Sequence, residues 1–317
     1  MTALQIWKKF FSVKTLLSFG FAFFIFYLFL SNVDIKDVLL ILSKVNIKLL
    51  ISAFAFYYVL ILITALRWKI ILKNTGINCR IVPVTEIVFL GQFVNTLMPA
   101  RIGDFYRAHL AKKEYNISRS AVFGTLFIEK VLDFSSLILL LFASAFIIFE
   151  GKVSNAVLNV IILGSIFIFS ALMLFLIVKS LRKKIVKLIP KKIVYMIKNF
   201  EKSASSSINL KSLPLILLLT LGSWTAASAV FYFVLLSLQV SFGFFQVLFV
   251  VLLANLLIAL PLTPSGIGIV EAGVAGILIL LNIEKNVAVS IALLNGIVNY
   301  WNQLIVGFFA YIFSKRS

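Results

Sequence analysis

The chain has 317 residues, of which 62% are hydrophobic, and its formal net charge is +19. Soluble domains are closer to half apolar, so this composition excludes a sizeable soluble domain and indicates an all-α polytopic membrane protein. The positive charge lies in the loops between apolar segments, where membrane topology and anionic lipid explain it better than nucleic acid, which we do not expect as a partner.

Cysteine and histidine are almost absent. Cys79 is the only cysteine and His109 the only histidine. An intrachain disulfide is therefore excluded, and neither a zinc site nor a histidine-based catalytic triad is expected. We predict no metal and no cofactor.

The apolar segments are taken in chain order. The first follows Lys8, Lys9 and Lys14 and resembles a signal sequence, but no small-residue cleavage site follows it, so we predict an uncleaved first helix. Stretches of roughly 20 apolar residues span a bilayer, and three of the candidates, 84–98, 244–260 and 267–283, are short. The candidate segments are 15–31, 47–66, 84–98, 121–149, 157–178, 212–238, 244–260, 267–283 and 287–313.

Two proline-glycine breaks interrupt these segments. The first reads NTLMPARIGD and begins at Asn95, and the second reads PLTPSGIG and begins at Pro261. Both contain Pro-x-x-Ile-Gly, in Pro99 to Gly103 and in Pro264 to Gly268. Broken hydrophobic segments in comparable positions of two halves are typical of substrate sites in transporters, and lipid excludes unpaired backbone, so the breaks should face protein or a wet cavity.

The distribution of basic residues predicts the topology. The loop 179–211 is dense in lysine and should be cytoplasmic. If 84–98 enters the membrane and returns to the same side, then most of the 30 basic residues and both termini lie in the cytoplasm. This favours about six full spans plus re-entrant or broken short helices. The second break is then approached from outside, which makes an inverted repeat possible.

The loop 179–211 itself carries apolar residues at helical spacing among its lysines, with Pro190 as a kink. We predict a basic amphipathic helix on the anionic inner leaflet, and the alternative is a solvated basic loop. The apolar residues are Ile185, Leu188, Ile189, Ile193, Ile197 and Phe200.

Acidic side chains follow one face of the segment 121–149. Thr125, Glu129, Asp133 and Ser136 recur at helical spacing, and carboxylates inside a membrane usually mark a pathway. This face should line the bundle interior, where Lys130 or an arginine from 101–107 could neutralise it. The alternative is a buried ion pair that fixes helix packing.

The first break is rich in polar residues. Arginine suits bidentate contact with phosphate, so we interpret Arg101 as a phosphate ligand, although Arg101 and Arg107 could instead be ordinary positive-inside anchors. The polar residues are Gln92, Asn95, Arg101, Asp104 and Arg107.

The second break has no charge before Glu271. Gly266 and Gly268 would let backbone approach a ligand closely, and a helix that starts near Gly266 would present unpaired N–H groups to an anion. Glu271 could contact a polar or cationic head group or pair with an arginine of the other half. The alternative is a glycine kink that merely permits helix packing.

The last segment has amide side chains at i, i+4, i+7 and i+8, which would share one face of a regular helix. Amides often hold membrane helices together, and a hydrophilic groove wall is the alternative. These residues are Asn295, Asn299, Asn302 and Gln303.

The motifs together resemble the transmembrane region of lysylphosphatidylglycerol synthase, also called the flippase-like domain family. The similarity lies in Arg101-Ile-Gly-Asp104 with Arg107-Ala, in Glu129-x-x-x-Asp133, and in Pro264-x-Gly-x-Gly-x-x-Glu271. The chain departs from the family at Lys130, where arginine is frequent, and at Ser265, where glycine is frequent.

The resemblance implies a lipid flippase-like transporter over 1–317, a single integral domain of the cell membrane. The chain ends at Ser317, shortly after the last predicted helix, so the resemblance implies transport rather than synthesis. The expected cargo is a phospholipid, such as an aminoacylated one, or a polyprenyl-phosphate-linked sugar. Arg101 and the helix start at Gly266 would hold its phosphate, while Glu129, Asp133 and Glu271 would face the head group.

Two alternatives remain open, namely an integral membrane glycosyltransferase or lipid-modifying enzyme, and a membrane anchor for a lipid-synthesising transferase. The predicted lipid-binding residues are Asn95, Pro99, Arg101, Gly103, Asp104, Arg107, Glu129, Asp133, Pro264, Gly266, Gly268 and Glu271.

Overall fold

The computed structural model describes residues 20, 23–27, 31, 33–98, 101–153, 155–185, 190–259, 263 and 266–314, and all its regular elements within these ranges are helices. The prediction of an all-α membrane protein is confirmed. Most of the predicted first segment, 15–31, lies outside the described residues, although 23–27 is helical. From residue 35 onward the helices are α1 Ile35–Ser43, α2 Ile47–Asn74, α3 Ile81–Leu97, α4 Ile102–Tyr115, α5 Arg119–Ile148, α6 Asn155–Ile185, α7 Lys191–Ser207, α8 Leu213–Ser237, α9 Phe244–Ala259, α10 Ile269–Leu280, α11 Lys285–Gly296 and α12 Asn302–Phe313.

Four helical stretches in the described ranges are long and apolar enough to cross a membrane. They are α2, α5, α8 and the run 285–313, in which a π-helical turn, Ile297–Trp301, joins α11 to α12. Large apolar side chains on the outside of the molecule, such as Leu139, Leu163 and Leu218, are more than 60% exposed. Such a surface suits lipid rather than water, as expected of a multi-pass membrane protein.

The helix ends agree with local chemistry. Ser118 accepts a hydrogen bond from the backbone N–H of Ala121 and so caps the start of α5, and Asp34 caps α1 in the same way. Several helices are followed by a non-glycine residue in the left-handed region, which turns the chain out of the helix. These residues are Asn116, Glu150, Gln239 and Asn282.

The chain forms two compact units that are interleaved in sequence. The first contains residues 1–62, 88–107 and 223–317, and the second contains 63–87 and 108–222. Both breaks belong to the first unit. That 1–317 acts as a single domain stays a prediction.

The core of the first unit is built from α2, α8, α9, α10 and α11. This core combines small buried residues such as Ala53, Ala275 and Ala288 with larger ones such as Val250 and Leu278. The small residues let the helices approach closely. The α9–α10 hairpin, interrupted by the second break, is held in this core.

In the second unit, α7 packs against α5. At Gly124 the helices are so close that a Cβ atom would meet the backbone of Phe200 and Ala204. The ring of Phe200 also contacts Phe127, at a centroid distance of 5.6 Å. The predicted alternative of a formless basic loop is therefore wrong for Lys191–Ser207, which is helical and begins directly after Pro190. The predicted position of this helix on a membrane surface stays a prediction.

Candidate functional site

A cavity of about 200 Å³ lies inside the first unit, next to the second break. Its walls come from α2, α8, α9, α10, α11 and the π-helical turn. Most of the lining is apolar, including Leu60, Phe231 and Val274. The polar lining residues are Asn255, Glu271, Asn295, Asn299 and Tyr300.

Glu271 is the only carboxylate among the described residues that line this cavity, and no lysine, arginine or histidine accompanies it there. It stands in the first turn of α10 and is 8% exposed. Its Oε2 accepts a hydrogen bond from the backbone N–H of Gly268 at 2.7 Å. Gly268 and Gly266 have φ values of +79° and +77°, which glycine adopts at little cost, so the glycines place the start of α10 against its own carboxylate.

This arrangement changes the predicted role of the helix start. The N–H of Gly268 at this helix start donates to Glu271, so an incoming anion would lie beside a carboxylate. Glu271 also meets no arginine in the cavity lining, so the expected pairing with an arginine of the other half is not part of this site. Pro264 lies outside the described residues.

The carboxylate of Glu271 also fits closely against α11. A Cβ atom at Gly296 would lie 2.8 Å from Glu271 Oε1. Because the backbone N–H of Gly268 fixes the carboxylate, this contact has little room to relax.

We expect Gly296→Ala to lower the free energy of unfolding by about 1–3 kcal/mol, as over-packing of a fitted core does. Thermal unfolding in detergent would measure the loss. The control is Gly222→Ala, whose Cβ would lie 3.9 Å from its nearest neighbour, a side-chain carbon of Ile63. A Gly296→Ala protein as stable as this control would contradict the close fit.

The amides of the last segment divide between two roles. Asn295 and Asn299 line the cavity, and Asn299 Nδ2 donates to Asn295 Oδ1 at 2.8 Å. Asn302 accepts from the hydroxyl of Tyr58 at 2.9 Å, and Gln303 donates to the carbonyl of Phe89 at 3.0 Å. The groove-wall interpretation thus suits the first pair and the helix-joining interpretation suits the second.

At the first break, α4 folds back along α3. Asn95 Oδ1 accepts the backbone N–H of Gly103 at 2.7 Å, and Gly103 lies directly on the backbone of Gly91. The buried side chain of Arg107 also lies against Gly91, with its Nη1 3.9 Å from Asp104. Four predicted site residues are thereby gathered in one hairpin. Pro99 is outside the described residues.

Arg101 sits at the turn of this hairpin with a φ of +53°. The left-handed conformation is strained for a residue with a Cβ, and such strain is concentrated at functional sites. Arg101 is half-buried at the point where the helix pair reverses.

Glu129 and Asp133 belong to the second unit, where they face a cation that the sequence did not single out. Arg67 Nη1 lies 2.5 Å from Asp133 Oδ1 and 3.1 Å from the hydroxyl of Thr220, and Arg67 Nη2 is 4.0 Å from Glu129 Oε1. Lys130 Nζ is 3.9 Å from both carboxylates. Arg67 and Glu129 are 2% and 1% exposed and so are buried, whereas the Asp133 side chain is 24% exposed.

The predicted second segment, 47–66, stopped one residue before Arg67. That boundary is wrong, because α2 continues to Asn74. The predicted shared face on α5 is correct in part, since Trp68 Nε1 donates to Thr125 Oγ1 at 3.2 Å, while Ser136 bonds back to its own helix. In the described parts of the chain, no three His, Cys, Asp or Glu residues are grouped as a metal site would require.

Comparison with known proteins identifies the family of this chain. The profile of the family described as the lysylphosphatidylglycerol synthase TM region matches residues 13–307. The chain belongs to this family. Both breaks, the Arg67 cluster and the cavity lie within the matched residues.

Relatives of this transmembrane-region family occur in archaea. A UPF0104 membrane protein of Methanocaldococcus jannaschii is 36% identical over 228 residues, which is 71% of this chain and 95% of that protein. A UPF0104 membrane protein of Pyrococcus horikoshii is 28% identical over 86% of this chain and 89% of its own length. The glycosyltransferase AglD of Haloferax volcanii is 30% identical over 101 residues, which is 32% of this chain and 16% of AglD.

Proposed function

We propose that this protein is a flippase-like transporter that moves a phosphate-bearing lipid between membrane leaflets. The observation that carries the proposal is the cavity beside the second break, where a buried carboxylate and several amides stand among membrane helices. Polar groups buried among membrane helices are costly unless they bind a ligand or line a pathway. A lipid head group crossing the bilayer needs such a polar surrounding.

In this proposal the first break holds the phosphate. Arg101 contacts it, and the hairpin of Asn95, Gly103, Asp104 and Arg107 keeps Arg101 in its strained position. Phosphate is matched by the planar fork of arginine. The carboxylate at the start of α10 argues against a phosphate there, so Gly266 and Gly268 serve instead to position Glu271.

Glu129 and Asp133 have a supporting role in the proposal. Their contacts to Arg67 and Lys130 balance the four charges, so we assign them to the stability of the second unit rather than to direct contact with lipid.

The topology is proposed from the charges. Both termini face the cytoplasm of the cell, and the α3–α4 hairpin is re-entrant from that side. The outer face of α7 combines lysines with the exposed side chains of Tyr195 and Met196, which suits anionic inner-leaflet lipids. Its lysines are Lys191, Lys192, Lys198 and Lys202.

The test is a lipid-scrambling assay in vesicles that contain the purified protein. Labelled lysyl-phosphatidylglycerol and labelled polyprenyl-phosphoryl-hexose are placed in the inner leaflet, and their exposure to an external reagent is followed. We expect Arg101→Ala to slow exposure about 10- to 100-fold, because a hydrogen bond to a charged group contributes about 1.5–3 kcal/mol. The control, Arg80→Ala, removes an exposed arginine and should match the unaltered protein. Background rates for the unaltered protein with both lipids would refute transport.

A second candidate function is an anchor for, or part of, a glycosyltransferase system. The partial similarity to the glycosyltransferase AglD favours it. Under this alternative, membranes carrying the protein would bind a lipid-modifying transferase without any lipid crossing. Incubating the purified protein with nucleotide sugars and polyprenyl phosphate would test the enzymatic version, for which the expected result is no product.

A further inference from the structure

The hydrogen-bonding groups of the cavity define what it can bind. Asn255 Nδ2 already donates to the carbonyl of Val251 at 2.9 Å, and Asn299 Nδ2 donates to both oxygens of Asn295, at 3.0 and 2.8 Å. The side-chain oxygens of Asn255 and Asn299 therefore remain as acceptors, and the second amide hydrogen of Asn255 remains as a donor. Asn295 keeps its amide hydrogens as donors, because its side-chain oxygen accepts from Asn299.

Two further groups complete the set. Tyr300 contributes a hydroxyl, which both donates and accepts. Glu271 contributes carboxylate oxygens, one of which already accepts the N–H of Gly268. The cavity thus mixes donors with a larger number of acceptors, and its lining contains no lysine, arginine or histidine.

This mixture discriminates among head groups. Phosphate offers acceptors only and would meet the acceptor oxygens and the carboxylate unfavourably. An ammonium offers donors only and would leave the hydrogens of Asn295 without a partner. A hydroxyl group both donates and accepts hydrogen bonds, so several hydroxyls on one ring can pair with both the donors and the acceptors that line the cavity.

Size and shape agree with a single ring. A volume of about 200 Å³ is below the roughly 300–1,000 Å³ of pockets that enclose drug-sized ligands, so acyl or polyprenyl chains stay outside. The buried ring of Phe231 and the side chain of Val274 provide apolar surface for the C–H groups of a pyranose.

We propose that this cavity binds the uncharged, polyhydroxylated part of the lipid head group, a single sugar ring, while the phosphate of the same lipid stays outside it. The inference rests on the proposed function and specifies the substrate class as a glycosyl phospholipid rather than an aminoacyl one.

Native mass spectrometry of the full-length protein in detergent tests the proposal. The probes are a short-chain polyprenyl-phosphoryl-hexose, the matching polyprenyl phosphate and lysyl-phosphatidylglycerol. We expect the hexose lipid to bind at least about tenfold more tightly than either of the others. It alone carries ring hydroxyl groups that can hydrogen-bond both the donors and the acceptors of the cavity.

Three cavity variants and one control connect the affinity to the cavity. Tyr300→Phe and Asn299→Leu should each weaken the hexose lipid about 3- to 30-fold without changing the affinity for polyprenyl phosphate. Tyr232→Phe removes a hydroxyl from an exposed tyrosine of α8 and is the matched control. Glu271→Gln keeps an acceptor for the N–H of Gly268 and should weaken the hexose lipid by no more than about tenfold, because an uncharged sugar needs no counter-charge.

Other outcomes overturn the proposal. Tighter binding of lysyl-phosphatidylglycerol, abolished by Glu271→Gln in a protein that keeps its melting temperature, would make the cavity a cation site and leave transport itself untouched. Equal affinity for the hexose lipid and polyprenyl phosphate would show that the cavity does not bind the sugar. Selective binding of the hexose lipid without any scrambling would uphold this inference and refute the transport function.

Discussion

Replacement of Arg67 by methionine is expected to destabilise the protein more than any other single charge removal. Arg67 is 2% exposed and faces Asp133 and Glu129, so its loss removes the cation closest to Asp133 and leaves the partly exposed Lys130 beside both carboxylates. Removing one partner of a buried ion pair costs about 3–5 kcal/mol, because the remaining charge is desolvated without compensation. Thermal unfolding followed by size-exclusion chromatography in detergent would measure the effect.

Two companion variants make the Arg67 experiment specific. Lys130 is 31% exposed and 3.9 Å from each carboxylate, so Lys130→Met should cost less than about 1 kcal/mol. Combining Arg67→Met with Glu129→Gln and Asp133→Asn removes the charges together and should recover much of the lost stability. If Arg67→Met were no less stable than Lys130→Met, the cluster would not hold the second unit together.

The second large effect is expected for Gly103→Ala in the first break. A Cβ atom at this position would overlap the backbone oxygen of Gly91 and approach Asn95 Oδ1 to 2.6 Å. Backbone cannot rotate away as a side chain can, so α3 and α4 would have to separate and the N–H bond from Gly103 to Asn95 would lengthen. We expect a loss of about 3 kcal/mol or slightly more, the upper part of the over-packing range, and scrambling at background rates.

The matched control for this change is Gly276→Ala in α10. No heavy atom lies within 4 Å of the Cβ that it would add. Alanine in a helix interior is favoured over glycine by about 0.5–1 kcal/mol, so this variant should be as stable as the unaltered protein or more so. A Gly103→Ala protein with unchanged melting temperature and transport would show that the hairpin tolerates separation and that its close packing has no function.

The sequence predicted the helices well because their signals are local. Segment 84–98 became α3, Ile81–Leu97, and 244–260 became α9, Phe244–Ala259, since apolar length and a following break fix both ends. Arg67 was missed for the opposite reason. It follows an apolar run in sequence and looks like a loop cation, and only its contacts with Asp133 and Thr220, far along the chain, reveal it as buried.

The candidate site shows the same division. Glu271, Gly268 and the residues of the first break were visible as motifs, because broken membrane segments carry a recognisable pattern. The capping of α10 by its own glutamate was not predicted, although a glycine followed three residues later by glutamate is a helix-start pattern. The cavity could not be predicted, since Asn255 reaches it from another helix through packing alone.

The π-helical turn at Ile297–Trp301 changes the direction in which side chains point along the last membrane helix. In an uninterrupted α-helix each residue advances the azimuth by about 100°, so one surplus residue turns everything beyond it by that amount. This extra residue allows Asn299 to line the cavity while Gln303, four residues later, donates a hydrogen bond to the carbonyl of Phe89 on α3. The rotation of α12 relative to α11 is thus determined by this one turn. The same five residues orient both the cavity wall and the contact with the α3–α4 hairpin.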